Sequence, residues 1–202
     1  NSSRVSNCYV EHTSGTNTST TIEVTGDSFL RNCTAINRGT GIGMSATSSK
    51  IYDCYAESIG GNAFRLLSNC YAKDCSASSP NSSFVYYISQ STLQDCSGFG
   101  DSDSRIVLAI RDCRIYNCSF TTQGALATGE IIFVQDIGNK FAQCTLSSPN
   151  SATKNGFDGN VGITANIVNT MGDITSGQLI NTTNVTNSQV LTEDGFGNII
   201  LG

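Results

Sequence analysis

The chain has 202 residues, of which 38% are hydrophobic and only 13% charged, and its formal net charge is −5. So few charges exclude a helical bundle, whose outer faces need Lys and Glu, and charge-driven disorder; the acidic balance excludes a nucleic-acid binder that tracks phosphates. No apolar run approaches the length of a membrane span.

A cysteine repeat sets the organisation. Cys8, Cys33, Cys54, Cys75, Cys96, Cys118 and Cys144 follow one another at steps of 25, 21, 21, 21, 22 and 26 residues. Asn or Asp precedes six of the seven, and Gln143 precedes the last. A near-constant period of this length marks a solenoid. Asn1 is not an initiator and the first unit begins part-way. Upstream turns, or a partner chain over that end, are therefore expected.

In chain order, a β-rich run lies about ten residues ahead of each anchor cysteine. These runs are Thr21–Val24, the shorter Ile42–Met44 and Phe64–Leu67, then Phe84–Ile88, Ile106–Ile110 and Ile131–Val134. Their β-branched and aromatic content predicts strands. A second, short strand is expected through each cysteine. Loops are expected at Glu57–Asn62, Ser76–Ser83, Gly98–Arg105 and Thr121–Glu130, where Gly, Ser, Asp and Pro gather.

Parity around the cysteines predicts a corner. Leu30, Ile51, Ala72, Leu93, Ile115 and Phe141 stand three residues before an anchor and are read as inward. Arg31, Tyr52, Lys73, Gln94 and Tyr116 stand two before and are read as outward. The cysteine and the residue two after it also face inward only if the chain bends at the Asn or Asp. Those residues tolerate φ > 0 best after Gly. The cysteines then stack as small, reduced hydrophobes. Side chains that point the same way along a ladder are poorly aimed for a disulfide, and no His cluster completes a metal site.

Phrases such as Leu67-Ser-Asn-Cys-Tyr-Ala-Lys-Asp-Cys75 and Ile110-Arg-Asp-Cys-Arg-Ile-Tyr-Asn-Cys118 resemble the Asn-ladder rungs of the right-handed parallel β-helix, or pectate-lyase-like, family. The resemblance covers residues 1–148, about seven rungs. After Leu146 the repeat stops. Residues 149–202 lack Cys and are rich in Asn, Thr, Gly, Ile and Val. They are expected to form a β-rich cap or oligomerisation region, since so short a segment can scarcely bury a core alone. A β-helix with such an end resembles a bacteriophage tail spike or tail-fibre adhesin. That resemblance implies a homotrimer, a place in the virion after synthesis in a reducing host cytoplasm, and a bacterial cell-surface polysaccharide as partner.

Three groups of residues could carry chemistry. The corner carboxylates Asp53, Asp74 and Asp95 would stack one above another, although bend residues with solvent-facing carboxylates satisfy the same pattern. Asp101 and Asp103, with Glu130 in the next long loop, are the pair-like carboxylates a glycoside hydrolase would need. Tyr52, Tyr55, Tyr71 and Tyr116 fall at outward positions, where a flat ring with a polar tip suits a sugar. No cofactor fingerprint, P-loop or Gly-x-Ser-x-Gly is present. The expected function is receptor binding to polysaccharide; the alternatives are a polysaccharide-degrading enzyme of the same fold and a structural stalk.

Overall fold

The computed structural model describes residues 2–81, 84–101, 105–123, 130–136 and 138–147, and beyond these the strands within 155–159, 164–165, 168–171, 191–193 and 199–201. Strands come in successive triplets. The first is β1 (Arg4–Ser6), β2 (Tyr9–His12) and β3 (Ile22–Thr25), followed by β4 (Phe29–Arg31), β5 (Thr34–Asn37) and β6 (Met44–Thr47). Next come β7 (Lys50–Tyr52), β8 (Tyr55–Ser58), β9 (Phe64–Leu67), then β10 (Tyr71–Lys73), β11 (Ser76–Ser79), β12 (Phe84–Ser89). They continue as β13 (Thr92–Gln94), β14 (Ser97–Gly100), β15 (Arg105–Ala109), and β16 (Arg114–Tyr116), β17 (Ser119–Thr122), β18 (Glu130–Val134). The last are β19 (Lys140–Ala142), β20 (Cys144–Ser147), β21 (Asn155–Gly159), β22 (Thr164–Ala165) and β23 (Val168–Met171).

Each member of a triplet pairs in parallel with its counterparts in the turns before and after. This gives an eight-stranded sheet A from β1 to β22, an eight-stranded sheet B from β2 to β23 and a seven-stranded sheet C from β3 to β21. The protein is a parallel β-solenoid. No helix occurs among the described residues. The sheets run on beyond residue 148, where the cysteine repeat ends, because β21, β22 and β23 each add to one of them. Strands β24 (Leu191–Glu193) and β25 (Ile199–Leu201) form a separate antiparallel pair.

The unit thus holds three strands, not two. The expected strand through each cysteine is a pair of strands on either side of the corner, and Ser76–Ser79, expected as loop, is β11 of sheet B. Serine and glycine carry little β-propensity, and here the in-register neighbours above and below supply the pairing. The strand expected at Ile42–Met44 begins only at Met44. Gly43 is packed under the chain above it, where an added Cβ would lie 2.8 Å from the carbonyl oxygens of Ala63 and Glu57.

Like stacks on like in the core. On sheet A, Leu30, Ile51, Ala72, Leu93, Ile115 and Phe141 are in register and buried. On sheet B the buried row is Ala35, Ala56, Ala77, Gly98, Phe120 and Leu146. Gly98 is required by size. Tyr86 is fully buried, stacks on Phe64 at 5.4 Å and meets Phe120 at 6.0 Å. A Cβ at Gly98 would fall 2.6 Å from Ile106 and 3.1 Å from both Tyr86 and Phe120. The Tyr86 hydroxyl is satisfied by donating to the Ser97 carbonyl at 2.7 Å.

Candidate functional site

At each of the seven described sheet A–sheet B corners a single residue has φ > 0: Asn7, Asn32, Asp53, Asp74, Asp95, Asn117 and Gln143 lie between 49° and 56°. The following cysteine turns inward, and its thiol donates to the carbonyl two residues earlier, as Cys54 to Tyr52 (3.1 Å) and Cys75 to Lys73 (3.2 Å). All nine cysteines are free, and all but Cys8 are buried. Burial pushes the Cys54 thiol up to about 11 and raises Cys113 and Cys144. Cys75 and Cys118 are raised by hydrogen bonding with Cys96 between them and by burial. The raised thiols Cys54, Cys75, Cys113, Cys118 and Cys144 are buried packing groups, with a shift opposite to the one that activates a cysteine nucleophile.

Of the corner carboxylates Asp53 and Asp74 are exposed and Asp95 half-buried, and each has a cation nearby. Asp53 accepts from Arg31 at 3.0 Å, and Lys73 lies 3.9 Å from Asp74 and 3.7 Å from Asp95. Asn117 donates to Asp95 at 2.7 Å. Asp95 is held below the ordinary aspartate value by Asn117 first, with Gln94 and Lys73 adding. A proton donor would need the opposite shift.

Of the other sequence candidates, Asp101 is exposed just after β14, Asp103 lies outside the described residues, and Glu130 opens β18 with no described side chain. Nothing described brings the three together. The tyrosines divide. Tyr52, Tyr71 and Tyr116 stand half-buried on the outer face of sheet A, whereas Tyr55 stands on sheet B. The Tyr55 hydroxyl donates to Glu57 at 2.8 Å, and burial together with Glu57 raises it to about 12. Arg38 bridges Glu57 (2.6 Å) and Glu11 (2.9 Å), and Tyr9 donates to Glu11 at 2.6 Å. Tyr9 and Arg38 hold Glu11 below the usual carboxylate range. Both carboxylates, Glu11 and Glu57, are therefore already bonded.

The densest constellation lies on the outer face of sheet A. Each three-residue strand turns its middle side chain inward and its first and last outward. Phe29 stacks on Tyr52 at 5.2 Å, Tyr52 meets Tyr71 at 5.8 Å, and the Tyr71 hydroxyl donates to Gln94 at 2.7 Å. Arg4 covers the far side of Phe29 at 4.9 Å. One line of side chains thus crosses β1, β4, β7, β10 and β13. A depression of about 500 Å³ adjoins its first end, lined by Arg4, Phe29, Arg31, Asn32 and Asp53 among others. A second, of about 360 Å³, adjoins Tyr71 and is lined also by Gln90, Thr92, Asp112 and Arg114.

Sequence reading reached Tyr52, Tyr71 and Tyr116 but missed Arg4, Phe29, Lys50, Arg114 and Lys140. Each of these stands four residues before an anchor cysteine. That column was invisible while the unit was read as two strands, because the first residue of the sheet A strand then falls in a connection. Comparison with protein-family models, with curated proteins and with solved structures finds no match to the chain.

Proposed function

We propose that this solenoid binds polysaccharide on the outer face of sheet A. The observation that carries the reading is the continuous line from Arg4 through Phe29, Tyr52 and Tyr71 to Gln94, with one depression beside Arg4 and Phe29 and another beside Tyr71. Rings on neighbouring strands repeat at close to the strand spacing of about 4.8 Å, near the length of one pyranose unit. Phe29 and Tyr52 stack, whereas Tyr71 is tilted by 57° against Tyr52, so the ligand meets ring edges, hydroxyls, amides and cations as well as ring faces. Such a surface holds an extended polymer and not a small molecule, since the depressions are open and shallow.

The finer reading is a receptor-binding module of the phage tail-spike type, engaging bacterial surface polysaccharide and working as a homotrimer held by residues 149–202. It rests on the resemblance of plan. Light scattering on the chain and on a version ending at Asn155 tests it: loss of a trimer on truncation supports this assembly, and an unchanged trimer places the interface elsewhere. Binding is favoured over cleavage because the described carboxylate groupings are already bonded to cations and hydroxyls, and Glu11 and Asp95 are held below the ordinary carboxylate range, the wrong direction for a proton donor.

The test is retention on immobilised bacterial polysaccharide, with the eluate sized for shortened oligosaccharides. Tyr52→Ala should weaken binding roughly three- to tenfold, the range of an aromatic contact. Tyr87→Ala, on sheet C, should leave it unchanged. Retention that Tyr52→Ala leaves intact would remove the site from this face, and product shortening would turn the reading to the enzyme.

A further inference from the structure

The first positions of the sheet A strands form one continuous row. Arg4 pairs with Phe29, Phe29 with Lys50, Lys50 with Tyr71, Tyr71 with Thr92, Thr92 with Arg114, and Arg114 with Lys140. Four of these seven residues are cations, and all four are exposed. No carboxylate lies within ion-pair distance of Arg4, Lys50, Arg114 or Lys140 among the described residues. The parallel row at the other end of the same strands adds Arg31 and Lys73, and no Asp or Glu occurs on any strand of sheet A. Six of the chain's 11 Lys and Arg residues therefore stand on one face of a molecule whose net charge is −5. Off this face, Arg38 and Arg111 each hold an acidic partner, Glu11 and Glu57 for the first and Asp136 for the second.

We propose that this row is the track of a linear anionic polysaccharide, one bearing carboxylate or comparable acidic groups, laid along the solenoid axis. The inference rests on the polysaccharide reading above and adds the ligand's charge and its direction. From β1 to β19 the row spans about 29 Å at one strand spacing per step. A polymer lying along a single strand would meet only its two outward residues; lying along the axis, across the strands, it meets the whole row and the ring line that shares Phe29 and Tyr71 with it. The stripe is narrow, about 7 Å from the first to the last residue of a strand. Acids border it on both sides: Asp27 and Asp112 at one corner, Asp53, Asp74 and Asp95 at the other. Those borders repel a wide, densely charged polyphosphate and admit a thin chain of widely spaced carboxylates, which favours an acidic polysaccharide over nucleic acid.

The experiment uses the full chain, with immobilised hyaluronan and alginate as uronate polymers, carboxyl-reduced hyaluronan as the same backbone without charge, and single-stranded DNA. The uronate polymers should bind, and carboxyl-reduced hyaluronan should bind at least roughly tenfold more weakly, the loss of two or more exposed charge contacts. Raising salt to about 0.3 M should release the protein, since screening then acts within the spacing of the cations. The double variant Lys50→Gln/Arg114→Gln should lose roughly tenfold in affinity with an unchanged melting curve, and Arg65→Gln on sheet C should lose nothing. Equal binding of the carboxyl-reduced polymer, indifferent to salt and to the double variant, overturns the track and leaves the polysaccharide reading standing. DNA bound more tightly than hyaluronan, with the same sensitivity to the double variant, makes the row a nucleic-acid surface. Failure to retain any polymer, charged or neutral, overturns the polysaccharide reading itself.

Discussion

Each turn of the solenoid has two tight corners, and they meet the same backbone demand with different chemistry. Between sheets A and B the left-handed residue at each described corner is Asn, Asp or Gln and is followed by cysteine. Between sheets C and A the left-handed residues are Asp27, Ser48, Asn69, Gln90, Asp112 and Gly138, each five positions before its partner at the other corner. The residues that follow are Ser28, Ser49, Cys70, Ser91, Cys113 and Asn139, all buried. Where one residue makes the corner, the inward group donates two residues back, as Ser49 to Thr47 (2.9 Å), Ser91 to Ser89 (2.7 Å) and Cys113 to Arg111 (3.3 Å). Where two residues have positive φ, the bond reaches three back, as Ser28 to Thr25 (2.6 Å) and Cys70 to Leu67 (3.1 Å). A small side chain with one proton to donate is what both corners need. Thiol and hydroxyl meet that need, and at Asn139 a carboxamide does, donating to Asp136 at 2.6 Å.

If the backbone demand is common, a β-branched residue should damage either corner alike. Asn117 and Asp112 both have φ of 49°. Valine at either position should cost about 1–3 kcal/mol, the scale of a strained backbone conformation. Asn117→Val should sit at the upper end, because it also strips the amide from Asp95. Denaturant melts of the two variants decide it, and a large cost at one corner with none at the other would break the equivalence.

The chemical difference should show in serine substitutions. Cys75 stands in an unbroken thiol column, with Cys54 and Cys96 as neighbours, so Cys75→Ser places a hydroxyl in a dry stack. It should destabilise by about 1–3 kcal/mol, and Cys75→Ala by less. Cys70 sits between Ser49 and Ser91, and its own N–H is bonded to the Ser91 hydroxyl at 3.2 Å. Cys70→Ser should therefore cost under about 1 kcal/mol. Equal losses at Cys70 and Cys75 would mean that the thiol column has no chemistry of its own. Thiol titration sharpens the point: Cys8, half-buried, should react first in the native protein and the other eight only on unfolding.

The same contrast explains what could be read from sequence. The corner followed by cysteine was legible because one rare residue type repeats there, and with it came the solenoid, the bend and the inward rows. The other corner has the same spacing, but its inward position alternates between Ser and Cys and ends in Asn, so no single residue type marks it. Missing it merged two strands into one and hid the first residues of the sheet A strands. The cation row went unseen for that reason. The buried Tyr86 opposite Gly98 was equally illegible, since it is a cross-core match of large with small that no local pattern records.

A smaller effect is expected at Gln90. Its φ is 48°, a region that Asn reaches at less cost than a longer side chain. Replacing it by the residue type of the other corner, Gln90→Asn, should stabilise by a few tenths to about 1 kcal/mol. A loss of stability would show that the Gln90 side chain itself contributes, and that the two corners are not interchangeable in this position.

The smallest expected effect concerns the side chains that bond along the column at the cysteine corner. Asn32 donates to Asn7 at 2.7 Å and Asn117 to Asp95 at 2.7 Å, so this corner carries a lateral ladder outside the backbone one. Asp95 is depressed by Asn117, Gln94 and Lys73. A carboxylate whose folded value lies below its unfolded one adds stability above the unfolded value of about 3.9 and loses it as pH falls through the folded value. Its contribution should accordingly be complete at neutral pH and vanish only in strong acid. The Asp95 side chain is partly exposed, so solvent screens it and the shift in melting should be slight; the direct measurement is its carboxyl resonance through an NMR titration. That resonance should titrate below an ordinary aspartate in the native chain and move back up in Asn117→Ala. An unmoved midpoint would mean that the Asn117 amide does not hold Asp95 in solution, and that the cysteine corner, like the other, is secured by its backbone and its inward donor alone.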